Sequence, residues 1–385
     1  MRYLLFLSLL LLNCQAFSAA KWSKSDWNSI CSDAKKNNQY IFVDAFTDWC
    51  GWCKTMDKET FSDSTVGEFM NSKFISLKLD MEEGFGIKMA LKYRVSSFPT
   101  FLVFNPDGAL VYRIPGFHKP AEFLGLLNTA LIPANQIKAK GISNKVDLDF
   151  PDFLINSMKK KSDKKAPDSA AIFGYLDKQK DLFNEVAWTV MAKFNLNKKY
   201  MDFFINNAQK YIELFGIDEV KTKLYGYIDS KIQESFKDKD ESKLNSSLEL
   251  IEKYYLEENK VFLVPYIKAT FYQLSKNWSK LKDPLADYIK KSNMQDHKMV
   301  NGFCSFIADN CTDQDLLKSA TDWMAALVKI DKEPAFALCH ANLLYKRKFY
   351  KEAEAEAQRT IELYKAADQS DHQARELLSR INLEK

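Results

Sequence analysis

Three patterns of apolar and polar positions follow one another along the chain. The first is an almost unbroken apolar run, Tyr3–Leu12, preceded by Arg2 and followed by Ser18-Ala19-Ala20. A basic start, an apolar middle and a small-residue end predict an export signal over residues 1–20. The run is too short to span a bilayer, and no later run approaches a transmembrane length. The expected location is therefore outside the cytoplasm, most simply the periplasm. Leu11-Leu12-Asn13-Cys14 offers a second route, an outer-surface lipoprotein acylated at Cys14.

The second pattern occupies residues 21–134. Ile41–Phe46 and Phe74–Leu79 are short β-branched or aromatic runs and predict strands. Phe101–Phe104 and Leu110–Ile114 flank Asn105-Pro106-Asp107-Gly108 and predict a hairpin. Lys54–Asn71 and Gly86–Tyr93 predict helices between the strands. Strands alternating with helices predict an α/β domain, a mixed sheet flanked by helices.

In the third pattern, glycine thins out and apolar residues recur at helical spacing. Residues 135–168 predict a linker and 169–385 an all-helical region. Phe183, Val186, Ala187, Val190, Met191 and Phe194 form one stripe. Tyr200, Phe203, Phe204, Ala208, Tyr211 and Phe215 form another, closed by Gly216 as a C-cap. A third runs from Ile267 through Phe271, Leu274 and Trp278 to Leu281. Ala308 and Ala320 recur 33 residues later as Ala341 and Ala353. The stretch Ala341…Leu344-Tyr345…Tyr350…Ala353…Ala357 resembles a tetratricopeptide unit, so residues 301–366 are expected to be TPR-like. Cys31, Cys304, Cys311, Cys339 and His340 are expected to be structural.

Composition sets outer bounds. The chain has 385 residues, enough for two or three domains, and is 46% hydrophobic and 28% charged, as soluble globular proteins are. Its 55 basic and 51 acidic residues leave a net charge of +4, which does not point to nucleic acid. Lys159-Lys160-Lys161 with Lys164-Lys165 is expected to be a solvated loop.

The candidate chemistry lies in Trp49-Cys50-Gly51-Trp52-Cys53. Two thiols two residues apart, after a strand and at the start of a helix, form a dithiol redox signature. A sulfur at the helix start faces unpaired N–H groups and the positive end of the helix dipole, which favours thiolate. Cys50 should therefore be the accessible nucleophile. Cys53, one turn on and shielded, should resolve the mixed disulfide. Half of a zinc site is the competing reading, but zinc needs a second ligand pair, and His118 stands alone.

The surrounding residues resemble the thioredoxin family over about residues 22–131. They run Val43-Asp44-Ala45-Phe46-Thr47-Asp48-Trp49-Cys50-Gly51-Trp52-Cys53-Lys54-Thr55-Met56, with Phe98-Pro99-Thr100 and Gly116 further on. The resemblance implies a thioredoxin fold, a buried acid at Asp44 and a cis-proline loop at Pro99. Read alone, Pro99 would be an ordinary strand-opening proline, and Asp44 a strand-end cap or a buried carboxylate with a raised pKa. Trp52 stands where classical thioredoxins carry proline, at a position that tunes redox potential.

The expected function is thiol–disulfide oxidoreductase. Cys50 is the nucleophile, Cys53 the resolving thiol and Asp44 a proton acceptor. Trp49, Trp52, Phe98, Pro99 and Thr100 shape the client groove. No cofactor is expected beyond the redox-active Cys50–Cys53 disulfide, and no metal. Expected partners are client proteins and a separate redox protein, with possible self-association through the helices. The alternative is a non-catalytic helical-repeat binding module whose dithiol is regulatory or vestigial.

Overall fold

The computed structural model describes residues 19–160 and 167–384. Most of the expected export signal, including Cys14, lies outside the described residues. Contacts divide the chain into two compact units, ending at Leu224 and beginning at Tyr225.

The first unit opens with α1 (Trp27–Asn37), β1 (Tyr40–Phe46), α2 (Gly51–Thr55) and a π-helical turn, Met56–Thr60. Then come α3 (Ser64–Lys73), β2 (Phe74–Asp80), α4 (Gly84–Lys92), β3 (Thr100–Phe104), β4 (Leu110–Pro115) and α5 (Pro120–Ala130). The sheet order is β2-β1-β3-β4. β1 pairs parallel with β2 and antiparallel with β3, and β3 pairs antiparallel with β4. This is the mixed sheet of the thioredoxin fold, and the hairpin turns at Gly108, whose φ is +79.

Alternation along β1 builds the core on both faces. Ile41, Val43 and Ala45 pack with Trp27, Ile30 and Ala34 of α1 and Ala90 of α4. Phe42 faces the other way, among Met56, Phe61, Phe74, Phe101 and Phe123. The expected helix Lys54–Asn71 is interrupted. Phe61 turns into the core, and Asp63 accepts the Thr65 and Val66 N–H groups to start α3 anew.

The stretch expected as a linker is packed against the sheet. Val146 is buried among the β1 side chains, with Ile137, Ile142 and Met158 against them, and the Ile137 N–H donates to Val111 O at 2.8 Å. Lys160, expected in a solvated loop, instead pairs with Asp48 at 2.9 Å and Glu83 at 2.6 Å.

The unit continues through α6 (Asp152–Asn156), α7 (Ser169–Asp177), α8 (Glu185–Lys193), α9 (Lys198–Asn206), α10 (Ala208–Phe215) and the start of α11 (Ile217–Asp238). Compactness therefore extends well past the expected boundary at residue 134. One reason is a set of ion pairs: Lys92 with Glu185, and both Arg94 and Arg113 with Glu219. The second predicted stripe is split at Asn207 into α9 and α10, and Gly216 closes α10 as its C-cap with φ +86.

The second unit holds α12 (Glu241–Tyr254), α13 (Glu257–Leu274), α14 (Trp278–Lys291), α15 (His297–Asn310), α16 (Gln314–Ile330), α17 (Pro334–Lys346), α18 (Tyr350–Ala366) and α19 (His372–Glu384). The third stripe is also split. Lys276 adopts a φ of +54, and Asn277 caps α14 through the Lys280 N–H. Ala341, Ala353 and Ala357 are buried in one cluster where α17 and α18 pack. Cys304 and Cys339 are buried, and Cys311 follows α15 as its buried C-cap. Among the described residues, no helix is long and apolar enough to cross a membrane.

Candidate functional site

β1 delivers the chain to Thr47, whose carbonyl accepts the Cys50 N–H at 3.1 Å. This turn places Cys50 at the N-cap of α2, in extended backbone, with its Sγ accepting the Cys53 N–H at 3.0 Å. The sulfur thus occupies the position that a capping oxygen takes elsewhere. Cys50 and Cys53 are joined as a disulfide. The expected contrast in exposure is absent in this oxidised state: Cys50 is 4% exposed and Cys53 5%. What distinguishes them is position, since only the Cys50 sulfur faces the open helix end.

Two tryptophans flank the disulfide, 66% exposed at Trp49 and 62% at Trp52. The Trp49 indole N–H donates to Glu82 Oε2 at 2.9 Å, and its ring meets Phe98 edge-on with centroids 5.8 Å apart. Trp52 lies beside Phe117, centroids 5.4 Å apart. Phe98-Pro99 is a cis peptide. The Pro99 carbonyl accepts the Gly116 N–H at 2.8 Å, where Gly116 has φ +86. Thr100, expected to line the groove, is buried, and its hydroxyl donates to Ser97 O at 2.8 Å. It braces the proline loop from within.

Asp44 is 1% exposed, on the Phe42 face of β1 and opposite Phe101 in register. Burial pushes its carboxyl up to about 7 against the opposing pull of Lys78, with Asp57 adding to the rise. Lys78 Nζ lies 3.3 Å from Asp44 Oδ2, while Oδ1 has no hydrogen-bond partner among the described residues. The same ammonium pairs with Asp57 and sits over the rings of Trp22, Phe46 and Phe61. The strand-cap reading of Asp44 is therefore replaced by a buried acid with one partly shared counter-ion.

Sequence reasoning missed Lys78, Glu82, Phe117 and Lys160. Lys78 reaches Asp44 only through the β1/β2 register, and Glu82 reaches Trp49 only because the turn after β2 folds beside the Cys50 loop. Asp48, Asp80 and Glu83 converge near that loop, and Lys160 enters the group as their counter-ion.

Comparison with known proteins finds likeness over the same residues. Residues 28–131 match the thioredoxin-like domain model. The chain is 27% identical over 95 residues to the thiol:disulfide interchange protein DsbD of Pseudomonas fluorescens, covering 24% of this chain and 16% of that protein. It is 28% identical over 126 residues to protein disulfide isomerase-like 1-4 of Arabidopsis thaliana, covering 33% and 19%. The chain thus spans under a fifth of the length of these curated relatives. A solved structure of a candidate disulphide-isomerase from Bacteroides thetaiotaomicron is 34% identical, with TM-score 0.28, covering 30% of this chain and 94% of that one.

Proposed function

From the premise that residues 28–131 are a thioredoxin-like domain, we propose that the protein is an exported thiol–disulfide oxidoreductase acting on client proteins. The observation that carries this reading is the Cys50 sulfur at the open end of α2, bridged to Cys53 one turn inside. In the reducing direction, the Cys50 thiolate attacks one sulfur of a client disulfide and the other leaves as thiolate. Cys53 then loses its proton, with Asp44 as acceptor, and attacks the Cys50 sulfur. The second client thiolate leaves, and the Cys50–Cys53 disulfide remains. The reverse sequence forms a disulfide in the client. A separate redox protein resets the pair.

An extended client segment docks between the exposed faces of Trp49 and Trp52, beside Phe98 and Pro99. The second unit selects the client or mediates self-association, as stacked helix pairs with small residues at their crossings can do. Two variants of the full chain test the assignment. Cys53→Ser should accumulate mixed disulfides with clients, and Cys50→Ser should accumulate none. Equal trapping by both variants would refute the division of labour, and no exchange activity in the native chain would refute the function.

A further inference from the structure

A cavity of about 200 Å³ lies in the first unit between α4, α8 and α11, at the base of the loop that leads to Pro99. Four cationic side chains line it: Arg94, Arg113, Lys193 and Lys223. Two acids do so, Asp218 and Glu219. Glu219 divides one carboxylate between both guanidiniums, at 2.5 Å from Arg94 Nε and 2.8 Å from Arg113 Nη2. Asp218 is engaged by Lys221. Two of the cations are therefore under-compensated. The Arg94 side chain is only 10% exposed, and its Nη2 is closed from solvent with no hydrogen-bond partner among the described residues. Lys223 Nζ donates to the Phe194 carbonyl at 2.7 Å, forms no ion pair among the described residues, and is held below the usual lysine range by burial.

Burying positive charge without matching negative charge is costly. A chain that does so around a hollow has the makings of an anion site, because a doubly charged ligand supplies the missing charge and hydrogen-bond acceptors. Arg94 itself has a φ of +49, so its backbone takes an unfavoured conformation at the point where its side chain enters this group.

We propose that this cavity binds a small divalent oxyanion of phosphate or dicarboxylate size, with Lys223 and the Arg94–Arg113 pair as its recognition groups. Only Val95, Ser96, Ser97 and Phe98 separate Arg94 from Pro99, so an occupied site would brace the proline loop from behind. The inference does not depend on the redox reading. The first measurement is calorimetric titration of the full chain with sodium phosphate and, separately, sodium succinate, against sodium chloride at equal ionic strength. Saturable binding of phosphate or succinate is expected, and the preferred anion identifies the ligand class. Lys223→Met should weaken it roughly tenfold or more, the loss of one charge-assisted hydrogen bond. Lys223→Arg should recover part of the affinity. Lys180→Gln, at an exposed lysine of the same unit that does not line the cavity, should leave it unchanged. Circular dichroism melting of each variant shows whether it is folded. No saturable heat with either anion would overturn the proposal, as would equal affinity in folded Lys223→Met and the native chain.

Discussion

Asparagine in place of Asp44 should change how stability depends on pH. The carboxyl is buried and titrates at about 7 in the folded chain, against 3.8 when unperturbed. Between these values the unfolded state releases its proton while the folded state keeps it, so stability falls as pH rises through this window. At about 1.4 kcal/mol per unit, a difference of roughly three units costs the native protein up to about 4 kcal/mol by pH 8. The Asp44→Asn side chain carries no charge and should not suffer this loss, and Lys78 retains Asp57 as a counter-ion. The two proteins should therefore be nearly equal in stability at pH 4, with the variant increasingly the more stable as pH rises from about 4 to about 7 and the gap levelling off above that. Denaturant midpoints of the oxidised forms, taken at intervals from pH 4 to 8, give the difference directly. The same variant should slow mixed-disulfide resolution and remove its inflection near neutral pH. A stability gap that stays constant across this range would refute the buried-acid account, whatever happened to turnover.

Three other outcomes follow from particular contacts. Glu82→Ala removes the acceptor that holds the Trp49 indole. It should shift Trp49 fluorescence and slow exchange with protein clients a few-fold, about 1 kcal/mol, while sparing small disulfides; unchanged protein kinetics would exclude Trp49 placement as a factor. Glu219→Gln leaves Arg94 and Arg113 without their shared carboxylate and should cost about 3 kcal/mol in the first unit, read as a lower urea midpoint. Gly86→Ala would place a methyl group 1.9 Å from the Asp80 carbonyl oxygen. The start of α4 would have to move away from β2, costing about 1–3 kcal/mol, and an unaltered thermal melt would count against so close an approach.

Much of the first unit was legible because its signals are local. Strand runs, the Pro-Asp-Gly turn and the Cys-Gly-Trp-Cys spacing each sit within a few residues. The four strands appear within a residue of their expected ends. The limits of periodicity show in the helical part. The stripes across Asn207 and Lys276 are apolar in the right rhythm, yet each is two helices. A local cap or a left-handed residue can end a helix without breaking the apolar pattern.

The amino-acid order determined the dithiol, its place at a helix start and the acid six residues before it. Tertiary structure decided what surrounds them. Lys78 becomes the partner of Asp44 through strand register, and Glu82 the anchor of Trp49. Residues 137–158 line a core from which they are remote in sequence, and three carboxylates beside the active-site loop find their counter-ion in Lys160. Helix propensity and turn chemistry act over a few residues, so a sequence displays them directly. Burial, desolvation and ion pairing depend on which distant segments meet, and that is settled only when the chain is packed.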